Sequence, residues 1–464
     1  MNEQEKVDFV ANAAASAFRS FASSTPAQRA RLLREIAAGI EQLGDALIDC
    51  VQRETALPAA RISGERGRTC MQLRLFADVA ERDEWSDQRV DAADATRVPP
   101  KPQVRSRLRP IGPALIFAAS NFPLAFSVAG GDTASALAVG CPVIVKAHPA
   151  HPQTSALIAG AVRAALEKCA LPAGVFGMLD DGNIETGVAA VRHPAIKVGA
   201  FTGSQRAGLA LWREAQQRDQ PMPFFAEMGS VNPVFLLPEA LARNGDSIAT
   251  GLHASITLGV GQFCTQPGVV FLVDDEAGHA FVDKLAALVA ATPAGSMLSG
   301  GICANYRRAI EAHALLADVR KVAVAAVAAN ADDRQARAVL FATGVDTFLA
   351  QPELAEEVFG PSSLLVLCKT RGDFVRCAQA LQGQLTATLW SDGDGVGDND
   401  DLLWALEQKA GRIVFNGFPT GVEVGTAMMH GGPFPATTDG RFTSVGTRAL
   451  LRFVRPVAWQ TPAI

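Results

Sequence analysis

The amino-acid sequence predicts an α/β fold built from parallel β-strands. Residues 114–120, 142–145 and 197–202 are short apolar runs with the length and composition of buried strands. Residues 133–139 and 154–167, which lie between these runs, carry apolar side chains at helical spacing. Strands that alternate with helices of this size form β-α-β units, in which the strands run parallel. The order of these segments along the chain therefore predicts the fold class.

The chain before these units is predicted to be helical. Residues 24–26 form a typical helix start, and apolar residues at helical spacing continue as far as Val51, so one long amphipathic helix is expected. A second helix is expected around residues 71–79. Residues 91–102 contain three prolines and several charges, which is typical of a connector.

The second half of the chain has its own set of apolar runs, which predict the strands of a separate α/β domain. These runs are residues 233–237, 269–273, 363–367, 386–390 and 412–415. Residues 322–338 are rich in alanine, and their composition allows either a helix or a loose loop.

Composition limits the classes of partner. The chain has 464 residues, of which 48% are hydrophobic and 19% charged, so it suits a globular protein of two or three domains. A net charge of −5 without basic patches argues against nucleic acid or an acidic membrane, and a small molecule is the expected partner. The eight cysteines lack metal-type spacing and no signal peptide is recognisable, so free thiols in the cytoplasm are expected. No apolar run approaches the roughly 18 residues that a membrane span needs.

Polar or glycine residues directly follow the predicted strands of the first half. Ligands of parallel sheets bind beyond the carboxyl ends of the strands, which is where Asn121, Lys146 and Gly203 fall. Asn121 can donate its amide to an oxyanion or form a turn, and Lys146 can hold a ribose or phosphate or be a solvated charge. Gly203 and Gly208 can let backbone N–H groups approach a pyrophosphate. Their spacing matches neither the dinucleotide fingerprint nor a Walker loop, and a structural turn is the alternative.

Three further side chains could carry chemistry. Cys264 lies in the glycine- and proline-rich segment 259–268, where a substrate can reach a thiol; a buried structural cysteine is the alternative. Glu227 lies among apolar neighbours, and burial would raise its pKa toward the range of a general base, with a helix cap or a surface position as alternatives. Glu357 precedes a turn and can accept hydrogen bonds from a sugar. The seven histidines show no metal-site spacing, so no metal is expected.

The order of these motifs resembles the aldehyde dehydrogenase superfamily, and the resemblance covers nearly the whole chain. The matches are Asn121 in Asn-Phe-Pro, Lys146 closing Val-Ile-Val-Lys, Phe-Thr-Gly-Ser-x-x-x-Gly at 201–208, Glu227 in Glu-Met-Gly, Cys264 in Gly-Gln-x-Cys, and Glu357 with Phe359 in Glu-x-Phe-Gly-Pro. The resemblance implies a Rossmann-like cofactor domain, an α/β catalytic domain and a small β oligomerisation arm. The implied divisions are residues 1–96 and 112–229 for NAD(P) binding, 230–447 for catalysis, and 97–111 with 448–464 for the arm.

The resemblance also implies roles for individual residues. Cys264 would be the nucleophile, Asn121 and the backbone N–H of Cys264 would hold the oxyanion, and Glu227 would activate water and help to deprotonate the thiol. The remaining matches would bind the cofactor. Lys146 and Glu357 would hold the two riboses, with His148 in the same segment as Lys146; Gly203, Ser204 and Gly208 would lie near the pyrophosphate, and Phe359 near the nicotinamide.

Three longer segments narrow the resemblance to one branch of the superfamily. Residues 119–137, 146–152 and 415–424 are similar to the branch that contains α-ketoglutarate semialdehyde dehydrogenases and bacterial NADP-dependent long-chain aldehyde dehydrogenases. This similarity favours oxidation of 2,5-dioxopentanoate to 2-oxoglutarate. A fatty aldehyde dehydrogenase, an acyl transfer to coenzyme A and an inactive protein with the same fold are the alternatives.

The chain departs from the common superfamily pattern in ways that affect the cofactor and the assembly. Pro149 stands where much of the superfamily has a glutamate that repels a 2′-phosphate, so NADP is favoured over NAD. Residues 227–231 read Glu-Met-Gly-Ser-Val instead of Glu-Leu-Gly-Gly-Lys, which leaves the carboxylate in place. The chain begins later than its relatives usually do, and a start further upstream is left open. The implied arm predicts a homodimer or homotetramer.

The sequence leaves the substrate anchor open. A short substrate with a distant carboxylate needs a cationic or hydrogen-bonding partner, whereas a fatty aldehyde needs an apolar tunnel. Arg61, Arg66 and Arg68 lie close together and could bind a carboxylate, but they could equally form structural ion pairs.

Overall fold

The structure is a computed structural model that describes residues 2–326, 334–392 and 399–462. Its helices are α1 (Glu3–Ala22), α2 (Pro26–Gln42), α3 (Gly44–Thr55), α4 (Ala59–Arg82), α5 (Gly131–Val139), α6 (Pro152–Lys168), α7 (Ile184–Arg192), α8 (Gln205–Gln216), α9 (Pro238–Thr257), α10 (Glu276–Ala290), α11 (Gly300–Leu315), α12 (Val345–Ala350), α13 (Gly372–Ala380) and α14 (Asp400–Glu407). Its strands are β1 (Arg89–Asp91), β2 (Gln103–Pro110), β3 (Ala114–Phe117), β4 (Val143–Lys146), β5 (Phe176–Leu179), β6 (Val198–Thr202), β7 (Phe224–Glu227), β8 (Val234–Leu236), β9 (Val269–Val273), β10 (Gly295–Ser296), β11 (Arg320–Val324), β12 (Gln335–Ala336), β13 (Val339–Gly344), β14 (Ser362–Cys368), β15 (Gln384–Trp390), β16 (Ala410–Phe415) and β17 (Val454–Thr461).

The first half of the chain forms a five-stranded sheet with the order β5-β4-β3-β6-β7, in which all neighbouring strands are parallel. The three strands predicted from the apolar runs are β3, β4 and β6, and they are neighbours in this sheet. The prediction of parallel β-α-β units is therefore confirmed. Asn121, Lys146 and Gly203 follow or end these strands at one edge of the sheet, and Glu227 ends β7 at the same edge.

The second half forms a seven-stranded sheet with the order β11-β13-β14-β9-β8-β15-β16. Its strands are parallel except β11, which runs antiparallel to β13. All five strands predicted for this half are present, as β8, β9, β14, β15 and β16. The sheet is buried on both faces: Phe235 and Phe271 pack into one core, and Leu236 and Val270 pack into another. Burial on both faces explains why these strands are continuous apolar runs in the sequence.

Two predictions about secondary structure are corrected. The helix expected from residue 24 to Val51 is two helices, α2 and α3, because the chain turns at Gly44, which has a φ of 55°. Thr25 caps α2 in a capping box with Gln28, at 2.8 and 3.2 Å. In the alanine-rich segment 322–338, the described residues form strand β11 and the short strand β12, not a helix or a loose loop; residues 327–333 lie outside the described chain.

A third sheet joins the segment before β3 to the C-terminus. Its order is β1-β2-β17, and β2 and β17 pair antiparallel along their full lengths. The outer surface of this sheet carries apolar side chains, with Trp459 47% and Val90 63% exposed. The division into domains at residues 96, 111, 229 and 447 stays a prediction.

The sequence predicted free thiols and no membrane-spanning segment, and the described residues allow both predictions to be examined in part. Within the described residues, which include all eight cysteines, no disulfide bond is formed. Among the helices of the same residues, none has the length and apolar character that a bilayer crossing requires.

Candidate active site

Cys264 is presented by a tight turn after α9. Gly259, Val260 and Gly261 have φ values of 55°, 59° and 66°, so three consecutive residues adopt the left-handed conformation. This conformation is strained for the β-branched Val260. At Gly261 a Cβ atom would lie 2.3 Å from the backbone of Gly360, so only glycine fits there. The glycines of the motif therefore shape the turn that carries the thiol.

The loop with Cys264 is pinned by a buried asparagine. Asn232 Nδ2 donates to the carbonyl oxygens of Cys264 and Gln266, each at 2.9 Å. Gln266 Nε2 in turn donates to the carbonyl oxygen of Ser362, at the start of β14, at 2.6 Å. Because these side chains are buried, the hydrogen bonds hold the thiol in a defined position against the seven-stranded sheet.

The structure brings Glu227 next to Cys264 and adds a histidine to the pair. Cys264 Sγ lies 3.5 Å from His430 Nε2, and this nitrogen lies 3.0 Å from Glu227 Oε1. The hydroxyl of Ser444 donates to Glu227 Oε2, and its backbone N–H donates to the carbonyl oxygen of His430 at 2.8 Å. Glu227 and His430 are both buried. Thiol, imidazole and carboxylate thus form one contiguous group.

The electrostatics of this group differ from the sequence prediction. Burial of Glu227 was expected to raise the pKa of its carboxyl group. Burial does act in that direction, but the charge and hydrogen bond of His430 and the hydrogen bonds from Ser444 and Cys264 outweigh it, so the pKa of Glu227 is lowered. The pKa of Cys264 is raised well above its usual range, first by burial and then by the charge of Glu227. There is therefore a range of pH in which the Glu227 carboxylate is ionised and the Cys264 thiol is still protonated.

Asn121 lies where it can contribute to an oxyanion site. Its side-chain Nδ2 donates to the carbonyl oxygen of Gln262 at 3.1 Å, which directs the amide toward the Cys264 loop and leaves its second N–H available. The Asn121 carbonyl oxygen accepts a hydrogen bond from Arg61 at 2.7 Å. Within residues 2–326, 334–392 and 399–462, the backbone N–H of Cys264 donates to no acceptor. Two N–H groups are therefore available near the sulfur.

A cavity of about 310 Å³ adjoins Cys264 at the edge of the five-stranded sheet. Seven of the predicted site residues line it: Asn121, Gly203, Ser204, Glu227, Cys264, Glu357 and Phe359. Burial raises the pKa of Glu357 to about 7, against a backbone hydrogen bond from Ser230 that lowers it. The cavity can hold part of a dinucleotide between the thiol of Cys264 and the carboxyl group of Glu357, which can form hydrogen bonds in either protonation state.

The other three predicted site residues lie outside the lining of this cavity. Lys146 ends β4 and its Nζ lies 3.7 Å from Asp181 Oδ1, after the neighbouring strand. Burial lowers the pKa of His148 to about 4, so its ring is neutral at pH 7. Gly208 lies inside α8, where a Cβ would come within 2.7 Å of Met228 Sδ, so it permits close packing of the helix on the sheet.

Glu227, Cys264 and His430 also have the geometry of potential metal ligands. Their ligand atoms lie within 4.8 Å of one another. The same three atoms lie in contact with one another, since Cys264 Sγ is 3.5 Å from His430 Nε2 and this nitrogen is 3.0 Å from Glu227 Oε1. The expectation that the protein needs no metal stays a prediction.

The half-buried Cys264 thiol lies beside a carboxylate and an imidazole, next to a cavity at the carboxyl ends of parallel strands. This arrangement defines the class of cysteine-dependent enzymes that act beside a nucleotide cofactor. The sequence matches the Aldehyde dehydrogenase family over residues 1–437. The chain therefore belongs to the aldehyde dehydrogenase family and is an oxidoreductase that acts on aldehyde groups, as the motifs predicted.

Relatives and solved structures agree with this assignment. The chain is 49% identical over 458 residues to α-ketoglutaric semialdehyde dehydrogenase 2 of Azospirillum brasilense, covering 98% of this chain and 87% of the relative. It is 43% identical to α-ketoglutaric semialdehyde dehydrogenase of Acinetobacter baylyi, with 98% and 86% covered. The fold superposes on glyceraldehyde-3-phosphate dehydrogenase GapN of Methanocaldococcus jannaschii in complex with NADP, with a TM-score of 0.82, 17% identity, and 99% and 94% covered. The predicted fold is confirmed.

The sequence did not reveal all members of the site. His430 and Ser444 pair with Glu227 although both lie more than 200 residues away in the sequence, and Asp181 reaches Lys146 from the segment after the next strand. No local spacing marks a lone histidine or serine as the partner of a distant carboxylate. Asp181 follows the same rule that selected Lys146, but the strand before it, β5, was not predicted from the sequence, so this signal was missed as well.

Proposed function

We propose that the protein oxidises 2,5-dioxopentanoate to 2-oxoglutarate with NADP or NAD, through a covalent intermediate on Cys264. The observation that carries the proposal is the 49% identity, over 98% of the chain, to an α-ketoglutaric semialdehyde dehydrogenase. The convergence of Cys264, Glu227 and Asn121 around one cavity supports it, because these are the nucleophile, base and oxyanion donor that the reaction needs.

The first step is attack by the thiol. Because the pKa of Cys264 is raised, the sulfur must lose its proton as it reacts, and the ionised Glu227, which accepts a hydrogen bond from the thiol, can take that proton. Sulfur then bonds to the aldehyde carbon and the carbonyl electron pair moves to oxygen. The Asn121 amide and the Cys264 N–H donate to this oxyanion in the resulting thiohemiacetal.

The second step removes a hydride and leaves a thioester. The thiohemiacetal carbon loses a hydride with its electron pair, and a nicotinamide cofactor, when bound, would supply the acceptor for it. The chain provides a place for it: Gly203 and Ser204 stand at the N-terminus of α8, where backbone N–H groups favour phosphate, and Glu357 and Phe359 line the same cavity as Cys264. The half-buried Glu357 can donate to or accept from a ribose hydroxyl.

The third step hydrolyses the thioester. Glu227, ionised because its pKa is lowered, takes a proton from water while the water oxygen bonds to the acyl carbon. The carbon–sulfur bond breaks, and the electron pair stays on the sulfur, which is reprotonated. The carboxylate product then leaves. A buried carboxylate beside the acyl group favours water over coenzyme A as the acceptor, and coenzyme A added to the assay tests this directly.

NADP is the proposed preferred cofactor. Pro149 occupies the position of a repelling glutamate, and it packs beside the loop after β5, with its Cβ 3.4 Å from where a Cβ of Gly182 would lie. The neutral His148 adds no negative charge to this region. Asp181 does, but it is paired with Lys146 and Lys6. The charges of these side chains therefore leave room for the 2′-phosphate of NADP.

Assembly and location complete the proposal. The exposed edge strand β17 and its apolar Trp459 suit a protein–protein contact of the arm, formed by residues 97–111 and 448–464, in a homodimer or homotetramer. A single monomeric species in light scattering would contradict this. Cysteines without disulfide bonds, among the described residues, fit the reducing cytoplasm.

The decisive experiment is the initial rate of reduced cofactor formation by purified protein. It compares 2,5-dioxopentanoate with a long-chain aldehyde, and NAD with NADP. We expect the dioxo acid to be preferred, and Cys264→Ala to lose roughly 10³-fold or more of the activity. Cys169→Ser is the matched control, because Cys169 lies near Arg31 and Glu35, away from the cavity.

Each outcome has a definite meaning. Preference for the fatty aldehyde would keep the mechanism and overturn the substrate. Activity that survives in Cys264→Ala would overturn the mechanism. Oxidation of neither aldehyde with either cofactor would leave a protein with this fold but without the proposed activity.

A further inference from the structure

Two arginines from distant parts of the chain converge on one short loop. Arg68, on α4, donates through its guanidinium group to the carbonyl oxygen of Val422. Arg412, on β16, donates to the carbonyl oxygens of Pro419 and Gly421 at 2.6 and 3.2 Å. The two guanidinium groups are therefore held rigidly on the same few residues of backbone.

Each of these arginines has a donor left over. The Nε atoms of Arg68 and Arg412 are buried and have no hydrogen-bond partner among the residues that the structure describes. Buried unpaired donors are rare, because each forfeits its hydrogen bond to water without a replacement. Guanidinium N–H groups match the two oxygens of a carboxylate in geometry and charge. The two free donors therefore point to an anionic ligand.

Both arginines lie within electrostatic reach of the reacting sulfur. Burial lowers the pKa of Arg68 and of Arg412, and the charge that Cys264 carries as a thiolate acts in the opposite direction on both. As far as the described residues show, neither arginine lines the cavity of about 310 Å³ that holds the predicted cofactor contacts. The arginines therefore approach Cys264 from outside the cofactor cavity.

The positive charge is only partly balanced by protein carboxylates. Arg68 interacts with Glu423, which is exposed, and with the buried Glu65. Glu65 already accepts hydrogen bonds from two backbone N–H groups, at 2.8 and 3.0 Å. Among the described residues, no protein carboxylate forms a salt bridge with Arg412, whose guanidinium group donates to backbone carbonyl oxygens. A substrate carboxylate would supply the missing negative charge.

Aromatic rings lie between Arg68 and the Cys264 loop. The guanidinium of Arg68 lies 5.9 Å from the ring of Phe126, which contacts the ring of Phe122 at 5.2 Å, and Phe122 contacts Phe263 at 5.3 Å. Phe263 immediately precedes Cys264. The surface beside the thiol is thus apolar near the sulfur and cationic further away, which suits a short aldehyde with a charged far end more than a fatty chain.

We propose that Arg68 and Arg412 bind the carboxylate at the far end of the aldehyde and make the enzyme selective for short semialdehydes of dicarboxylic acids. The proposal rests on the proposed function, since it assumes that the aldehyde carbon is at Cys264. It assigns no anchoring role to Arg61 and Arg66, the other two candidate anchors that the sequence indicated on α4. Arg66 donates to the carbonyl oxygen of Gly44 at 2.9 Å, and Arg61 holds the Asn121 turn.

Paired substrates and paired variants test the proposal. Steady-state rates are measured for 2,5-dioxopentanoate and for pentanal, which has the same chain length and no carboxylate. We expect Arg68→Met and Arg412→Met to lower kcat/KM for the dioxo acid by roughly 10- to 100-fold, mainly through KM, and to change that for pentanal by less than about threefold. Arg68→Lys should retain part of the selectivity, and Arg66→Gln should behave as the wild type.

A binding measurement makes the test independent of turnover. Calorimetric titration with glutarate, which carries a carboxylate but cannot react, should show binding to the wild type and a loss of at least about tenfold in affinity in Arg68→Met and Arg412→Met. If the variants lose kcat/KM equally for both aldehydes, or if their affinity for glutarate is unchanged, the proposed carboxylate anchor is overturned and the proposed function still stands. Glutarate binding that depends on both arginines, in an enzyme that turns over neither aldehyde, would keep the anchor and overturn the proposed reaction.

Discussion

Two ends of one sheet edge carry paired charges that differ in tightness and in origin. At the end of β7, Glu227 lies 3.0 Å from His430, and Ser444 occupies its second oxygen. At the end of β4, Lys146 lies 3.7 Å from Asp181, which is too long for a hydrogen bond. The pair of Glu227 and His430 is closed on itself and is suited to proton transfer; we call it the reacting end. The pair of Lys146 and Asp181 is loose enough for a ligand to compete with it; we call it the recognition end.

The difference in origin has a physical consequence. His430 and Ser444 come from the C-terminal part of the chain, so the reacting end exists only when both halves of the protein are folded together. Asp181 follows β5, the strand next to β4, so the recognition end is formed within the first sheet. We therefore expect changes at the reacting end to act on kcat, and changes at the recognition end to act on cofactor affinity.

The largest effect is expected at the reacting end, from Glu227→Gln. Without the carboxylate, water is not activated and the thioester should accumulate, so steady-state turnover should fall by roughly 10²- to 10⁴-fold. If His430 alone can deprotonate Cys264, one equivalent of reduced cofactor should still form in a rapid burst. Stopped-flow absorbance of reduced cofactor measures both phases.

His430→Gln is the companion variant. His430 lowers the pKa of Glu227, so its removal should raise that pKa, and the acid limb of the kcat profile should move to higher pH. Activity should then be lost more strongly at pH 6 than at pH 9. A profile that is merely scaled down, with an unchanged acid limb, would contradict the proposed coupling between His430 and Glu227.

The sequence predicted most of the reacting end but none of its partners. Glu227, Cys264 and Asn121 were recognisable because each lies in a motif with fixed neighbours, and the glycines around Cys264 are required by the turn itself. His430 lies in no such pattern, and its position depends on how the chain folds after β16. The pKa of Glu227 was predicted with the wrong sign for the same reason, since burial was visible in the sequence and the histidine was not.

The fold shows the same limit on a larger scale. Apolar runs located eight strands of the two main sheets, because strands buried on both faces leave a continuous signal. They did not locate the other four strands, β5, β7, β11 and β13, or the helix α1, whose sequences mix apolar residues with glycine, alanine or charge. The break between α2 and α3 was missed because one glycine in a left-handed conformation does not interrupt the helical spacing on either side.

A smaller effect is expected at the recognition end, from Pro149→Glu. The new carboxylate would stand where it can bond the 2′-hydroxyl of NAD and repel the 2′-phosphate of NADP. We expect the preference for NADP over NAD, measured as a ratio of kcat/KM values, to fall roughly 10- to 100-fold, which corresponds to about 1.4–2.8 kcal/mol. The kcat with saturating NAD should stay within about twofold of the wild type.

Gln153→Glu is the control for this change, because it adds the same charge at an exposed position four residues later. Its cofactor ratio should not change. Should Pro149→Glu lower kcat without altering the ratio, the two ends of the sheet edge would not be functionally separate, and the argument for NADP from Pro149 would fail.

The smallest effect concerns Glu357, a cavity carboxyl group whose pKa is raised to about 7 mainly by burial. Its native pKa lies above the ordinary value, so the stability that the protonated form contributes is present below pH 4.5 and is lost as the pH rises through about 7. Glu357→Gln should therefore gain about 1–2 kcal/mol relative to the wild type between pH 5 and 8.5 in urea unfolding, after allowance for water in the cavity. For Glu356→Gln, at the exposed neighbouring position, the free energy of unfolding should have the same pH dependence as that of the wild type. If the free energy of unfolding of Glu357→Gln has the same pH dependence as that of the wild type, burial does not raise the pKa of Glu357. The charge of Glu357, unlike that of Glu227, would then need no partner to persist in the cavity.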